Sequence, residues 1–328
     1  MDSRLEKSKR NLSYGMLYQI MYLILNFVVR ISIINCLGVI SLSLNGLFTE
    51  VLSILSLAEM GVGTAITYSL YKPLAEDDHK KVSQLMSYFK TAYHMITIVM
   101  FIGGLIMIPF LKYIIKDVDV AWWYQVLVYI LFLINTCASY WFSHRMLLIT
   151  ADQKAYVCAK TNLVVRAIFF GISLCMIWFA KNFILYLISE IGYSFVYYFV
   201  LAKQADKMYP YLNDKDKLSK EERKQLFVSV KQAFAGKLAN RVLNSTDNIL
   251  ISSLVGTALV GIYSTYSMFT NGFQRVFAQV NEAIVGSVGN VIATESPEHI
   301  KETYDRSTYL FFVMGSICSV CTQLFNHS

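Results

Sequence analysis

Between residues 12 and 325 the chain is a succession of apolar stretches, each about 18 to 30 residues long, separated by short polar connectors. Nine blocks can be drawn, at 12–37, 44–71, 84–111, 122–149, 157–180, 183–202, 232–255, 261–292 and 307–325. A helix rises about 1.5 Å per residue, so each block can cross a hydrocarbon core roughly 30 Å thick. The pattern predicts an all-α, polytopic transmembrane helix bundle of about nine spans.

One polar break interrupts the series. Residues 203–231 hold the charged run KMYPYLNDKDKLSKEERK and read as a connector between an N-terminal six-helix lobe, 1–202, and a three-helix segment, 232–328. Within it, residues 219–225 predict a short amphipathic helix, with Ser219 as N-cap and Glu222 three residues on. The two halves are weakly alike. INCLGVISLSLNGLF near the end of the first block matches ILISSLVGTALVGIYSTYSMF near the end of the seventh, which puts Gly38 and Gly256 in equivalent places 218 residues apart. A second likeness joins Glu59-Met60-Gly61-Val62-Gly63 to Glu282-Ala283-Ile284-Val285-Gly286. Duplicated bundles are a common transporter plan. Six spans matched by three read as an incomplete transporter.

Composition excludes an ordinary soluble domain: 55% of residues are apolar and 16% charged, against about 25% charged in soluble domains. The net charge of +7 does not indicate a nucleic-acid partner, because of where the charge lies. Lys and Arg concentrate in the amino-terminal tail and in the connectors after the second, fourth, sixth and eighth blocks, and only Lys112, Lys116 and Lys181 fall in the opposite set. By the positive-inside rule the amino terminus is cytoplasmic. The first block is too long for a cleavable signal peptide and lacks a cleavage site. The six cysteines, Cys36, Cys137, Cys158, Cys175, Cys318 and Cys321, lie in or beside spans. The C-x-x-C spacing of Cys318 and Cys321 sits in an apolar helix with no second ligand pair, so both read as packing residues.

Ionisable residues within the blocks are the main clue, since each costs about 2.5 to 3.5 kcal/mol at mid-membrane. They include Arg30, Glu50, Glu59, Arg166, Glu190, Lys237, Arg241, Asp247, Arg275 and Glu282. Helix geometry places Gln19, Asn26 and Arg30 on one face, and Lys237, Arg241, Asn244 and Asn248 on one stripe from which Asp247 points away. Arg275 and Glu282 share a face, as do Tyr186, Glu190, Ser194 and Tyr197, while Glu50 and Glu59 face opposite sides. Two readings stand. The stripes line a hydrated cavity for an anionic headgroup, which arginine suits because its planar fork donates parallel hydrogen bonds. Alternatively the basic and acidic groups neutralise one another between helices. On the first reading the substrate candidates are Arg30, Asn26, Lys237, Arg241, Asn244 and Arg275. Glu59, Asp247 and Glu282 are candidates for carrying a coupling proton or Na⁺, because a carboxyl in low dielectric titrates usefully. His94 and His144 lack evident ligand partners, and neither a metal nor a cofactor is indicated.

Several segments resemble one family. They are SKRNLSYGMLYQI at 8–20 with the following Arg30, LSLAEMGVGTAITYSLYKPLAEDD at 55–78, LLITADQKAYV at 147–157, NSTDNILISSLVGTALVGIYSTY at 244–266 and GSVGNVIATES at 286–296. In this order they resemble the bacterial polysaccharide-export flippases, the oligosaccharidyl-lipid transporters of the multidrug/oligosaccharidyl-lipid/polysaccharide exporter superfamily. The resemblance implies a MATE-like fold of two six-helix lobes around a central cavity, here one complete lobe and part of a second. It implies a non-enzymatic, monomeric multi-pass protein of the bacterial inner membrane. Its activity would be flipping an undecaprenyl-diphosphate-linked oligosaccharide repeat unit for lipopolysaccharide or other surface polysaccharide. Arg30 then matches a first-helix arginine that contacts the diphosphate, Glu59 sits in the LAE-x-G-x-G motif and Asp247 in the TDN motif. Implied partners are the lipid-linked oligosaccharide, membrane lipids, and the polysaccharide polymerase and export machinery. A cation-coupled drug antiporter of the same superfamily is the alternative. An integral-membrane polymerase or glycosyltransferase fits less well, since the longest outward loop is only 112–121 and, on the inner side, Asp206, Asp214 and Asp216 read as linker charges rather than as a nucleotide-sugar motif.

Overall fold

The structure is a computed structural model that describes residues 4–55, 59, 62–115, 120–212, 217–245, 247–268, 270–272, 274, 277–278 and 297–326, without the side chains of 4–9, 12, 54, 64, 233, 235–245, 297, 299, 310, 317–318 and 321–326. The described chain consists of helices joined by short turns, with no strand among them. In order these are α1 (Arg4–Leu37), α2 (Val39–Leu55), α3 (Val62–Ala75), α4 (His79–Met107), α5 (Leu111–Ile114), α6 (Trp122–Ala151), α7 (Ala155–Trp178), α8 (Phe183–Met208), α9 (Lys220–Ser245), α10 (Asp247–Leu254), α11 (257–268) and α12 (Pro297–Asn326). Among the described residues, five stretches are long and apolar enough to cross a membrane: Ser13–Leu37, His79–Ile114, Trp122–Ala151, Ala155–Trp178 and Phe183–Met208. Val39–Ser53 is a shorter apolar helix.

The second block departs from expectation. Instead of one span over 44–71 there are two helices, α2 ending at Leu55 and α3 beginning at Val62, with Glu59 between them in 3-10 conformation. α2 begins early because Gly38, at φ +85°, turns the chain out of α1 in a conformation that side chains other than glycine's resist. Further on, a Cβ at Gly63 would lie 2.9 Å from Glu59 Oε1 and 3.1 Å from the Tyr93 hydroxyl, so glycine makes room there for a carboxylate.

The described chain forms two compact units, residues 1–23 with 266–328, and residues 24–265. In the larger unit α6 is the central helix, packed on α2, α3, α4, α7 and α8, while α7 and α8 form an antiparallel pair. Asn182 caps α8 by accepting from the Ile184 and Leu185 amides, and Asp78 caps α4 by accepting from Lys81 N–H. Two apolar clusters stack along these helices. One holds Phe48, Met100, Tyr129, Leu133, Ile177 and Leu187. The other holds Leu70, Phe89, Leu148, Val165, Leu201 and Leu226. These helices also bury polar residues: Thr97 on α4, His144 on α6, Arg166 and Ser173 on α7, and Ser189 and Ser194 on α8.

The connector is tied to the second cluster, to which Tyr209, Leu218 and Leu226 belong. The Tyr209 hydroxyl donates to Asp152 Oδ2 at 2.9 Å, and the Tyr211 ring stacks on His79 at 4.0 Å. Burial, reinforced by the Asp152 charge, pushes the Tyr209 phenol well above its ordinary range. The expected capping box is present in both directions: Glu222 N–H donates to Ser219 Oγ at 3.3 Å and Ser219 N–H to Glu222 Oε2 at 3.1 Å. The helix it starts is not short. α9 runs on to Ser245, and Lys81 of α4 pairs with Glu222 near its start. The hydrogen bond from Lys81, then those from Ser219, hold the Glu222 carboxyl below the usual carboxylate range.

In the smaller unit the Tyr18 and Tyr22 rings of α1 lie 5.9 Å apart, and a Cβ at Gly272 would approach Leu23 Cδ2 to 2.9 Å. α12 begins ten residues before the block drawn at 307–325. The side chains of Cys318 and Cys321 lie outside the described residues.

Candidate functional site

Among the buried polar residues of the larger unit, Arg166 anchors a network across α7 and α8. Arg166 of α7 donates through Nη1 to Glu190 Oε2 of α8 at 2.6 Å, and Ser173 Oγ donates to the other Glu190 oxygen at 3.1 Å. The guanidinium carbon also sits 4.7 Å from the centre of the Tyr193 ring, whose hydroxyl donates to Asn162 Oδ1 at 2.5 Å. This is the interhelical neutralisation that one reading of the ionisable residues expected. On α4, the His94 ring stacks on Trp141 at 3.9 Å and meets His144 edge-on at 6.2 Å.

Arg30 is placed differently. It is half-buried on α1, eight residues before Gly38, and its partners all lie on α11. Nε donates to Thr265 Oγ1 at 2.9 Å, and Nη2 donates to the Gly261 carbonyl at 3.3 Å and to Ser264 Oγ. The two hydroxyls in turn donate to that same carbonyl, Ser264 at 3.1 Å and Thr265 at 2.8 Å, which turns their lone pairs toward the guanidinium. Every one of these acceptors is neutral. Among the described residues no carboxylate pairs with Arg30.

The other candidates are scattered over several elements. Asn26, one turn before Arg30, is half-buried. Glu59 is half-buried and accepts from the Tyr93 hydroxyl at 2.9 Å. Asp247 is exposed and accepts from the Tyr263 hydroxyl, whereas its neighbour Asn248 is buried, so the two do diverge around the helix. Asn248 Oδ1 finds no hydrogen-bond partner among the described residues. Lys237, Arg241 and Asn244 lie on α9, but their side chains are outside the described residues, as are Arg275 and Glu282 altogether. Thus Arg30 and Asn26 share a helix, and neither Glu59 nor Asp247 touches Arg30.

Reading the sequence for charge missed Gly261, Ser264 and Thr265, because none of them is ionisable. A signal for them existed in the repeat. Offsetting Gly38 to Gly256 places Ser43 opposite Gly261 and Gly46 opposite Ser264, and these equivalents touch. A Cβ at Gly261 would lie 2.7 Å from Ser43 Oγ, and one at Gly46 would lie 3.1 Å from Ser264 Oγ. Both Gly38 and Gly256 carry positive φ, +85° and +145°. α2 and α11 therefore meet along a seam of small residues in which each residue faces its own counterpart.

A family model for polysaccharide biosynthesis proteins matches residues 8–285. No curated protein matches the chain. Two solved structures share its fold. One, "protein A", superposes with a TM-score of 0.73 at 12% identity, covering 98% of this chain and 72% of that one. The other, the MATE multidrug transporter DinF-BH, has a TM-score of 0.68 at 12% identity, with the same coverage of 98% and 72%. The chain belongs to the polysaccharide biosynthesis protein family, as a multi-pass membrane protein with a MATE-like fold.

Proposed function

We propose that the protein flips an undecaprenyl-diphosphate-linked oligosaccharide across the bacterial inner membrane, with its amino terminus in the cytoplasm, and that it is not an enzyme. The observation that carries the reading is Arg30, a half-buried cation held, among the described residues, by neutral acceptors. A charge in that position is costly unless an anion completes it, and a diphosphate supplies charged oxygens in the geometry a guanidinium prefers. A drug antiporter of the same superfamily needs no such cation. A polymerase would need acid–base carboxylates free to react, whereas Glu190 and Asp152 are engaged with Arg166 and Lys154. In this reading Asn26, Lys237, Arg241, Asn244 and Arg275 belong to the headgroup cavity of a two-lobed transporter, and Glu59, Asp247 or Glu282 carries the coupling ion.

The test is genetic. A strain lacking the protein is complemented with wild type, Arg30→Ala or Arg30→Lys, and surface polysaccharide and lipid-linked repeat unit are quantified. The expected result is polymer with wild type, little with Arg30→Ala, and repeat unit accumulating in the cytoplasmic leaflet. Full polymer with Arg30→Ala would overturn the role of Arg30. Full polymer without the protein would overturn the function.

A further inference from the structure

Arg30 ties together the seam where the two repeats meet, and one of its acceptors is itself a seam residue. Ser264 Oγ accepts from Arg30 and also fills the space left by Gly46. Ser43, its neighbour in the seam, is fully buried and donates to the Ala258 carbonyl at 3.3 Å. Gly261, whose carbonyl accepts from Arg30, admits Ser43 Oγ and Val39 Cγ1 where a side chain would clash. So the same short stretch of α11, 261–265, holds the guanidinium with one set of atoms and closes on α2 with another. Because Ser43 faces Gly261 and Gly46 faces Ser264 at the repeat offset, the axis relating the copies passes through this contact. A change in how the copies meet would act on this contact.

We infer that Arg30 is a latch on this seam and that the lipid diphosphate releases it, an inference that rests on the reading of the cargo given above. With no headgroup present, the guanidinium spends its donors on Thr265, Ser264 and the Gly261 carbonyl and keeps α11 against α1 and α2. A diphosphate offers ionised acceptors, which attract the guanidinium more strongly than the neutral oxygens of α11 do. The Nε–Nη2 edge that would grip a phosphate side-on is already committed to α11, with Nη1 alone left open among the described residues, so side-on capture of the diphosphate displaces those partners. Binding therefore withdraws it, leaves Ser264 and Thr265 with unfilled lone pairs, and loosens the seam. The differential between the latched and liganded partners is what a ligand needs in order to shift a conformational equilibrium.

The experiment reads seam opening directly. Ser43→Cys is introduced into the full chain with its six native cysteines replaced, reconstituted in nanodiscs, and its rate of maleimide labelling is measured. The buried position labels slowly without ligand. Undecaprenyl diphosphate is expected to raise the rate about tenfold, equivalent to about 1.4 kcal/mol, and undecaprenol to leave it unchanged. Arg30→Ala labels fast without ligand and ignores the diphosphate. Thr265→Val, which removes one acceptor but keeps the cation, labels fast without ligand as well, so the test survives if the arginine variant fails to fold. Basal labelling that neither variant raises, or a rise that undecaprenol produces equally, overturns the latch. Such a failure is separable from failure of the cargo reading, because Arg30→Ala can still abolish surface polymer while labelling stays flat.

Discussion

Arg166 and Glu190 give the sharpest test of which buried charges belong to the scaffold. Their side chains are 9% and 15% exposed and meet at 2.6 Å. At an effective dielectric constant of about 20, that separation corresponds to an attraction of about 6 kcal/mol. Desolvation of both ions offsets most of it, so the intact pair adds little net stability, but a partner left alone has no compensation and costs about 3 to 5 kcal/mol. Arg166→Met strands the Glu190 carboxylate, and Glu190→Met strands the Arg166 guanidinium beside Tyr193. Removing both ions deprives only the Ser173 hydroxyl of its carboxylate acceptor, at about 1 kcal/mol, since Ser189 keeps its bond to the Tyr186 carbonyl. The double variant Arg166→Met with Glu190→Met is therefore expected to be more stable than either single one. Tryptophan-fluorescence melting of the four proteins in one detergent measures this. A double variant no more stable than the worse single would refute the argument and return Arg166 to the cavity-lining residues.

Two smaller tests probe packing and the connector. Gly104 of α4 faces Leu133 of α6 so closely that an alanine Cβ would collide with Leu133 Cδ1 and lie 2.7 Å from Cδ2, in a fully buried place. Gly104→Ala should cost about 1 to 3 kcal/mol by overpacking, partly relieved by Leu133→Val; an unshifted melting temperature would contradict the close approach. Glu222 pairs with Lys81 and its carboxyl is held low, so its contribution is complete at neutral pH and fades as acid protonates it, below about pH 4. Glu222→Gln should speed hydrogen exchange over residues 218–226 at pH 7 by at most about fivefold, as for a surface pair, and the two proteins should converge in acid.

How far the sequence reaches depends on which force sets each feature. The long helices α6, α7 and α8 follow directly from uninterrupted apolar runs, because a backbone in hydrocarbon must satisfy itself. The Ser219–Glu222 box was equally legible, being local. The separation of α2 from α3 was not, because 44–71 reads as one apolar run. The contact found beside it, from the Tyr93 hydroxyl to Glu59, spans 34 residues, and Gly63 leaves the space for it. Similarly, Arg166 and Glu190 were visible as costly charges, but their pairing needed the α7–α8 stagger. Arg30 was legible by type, while its partners were invisible to any search for opposite charge.

The repeat clarifies why Arg30 has no basic counterpart. At the offset of 218 residues its equivalent is Asn248, each eight residues before a glycine of positive φ. One copy thus supplies a cation and the other a neutral amide. A second arginine would demand a second anion or repel the first across the axis, at a cost that grows as the dielectric falls. An asparagine keeps hydrogen-bonding capacity at the equivalent point without that penalty, and its Oδ1, buried with no partner among the described residues, is a position left polar despite the cost. At this pair of positions the duplicated frame is thus charged in one copy and neutral in the other.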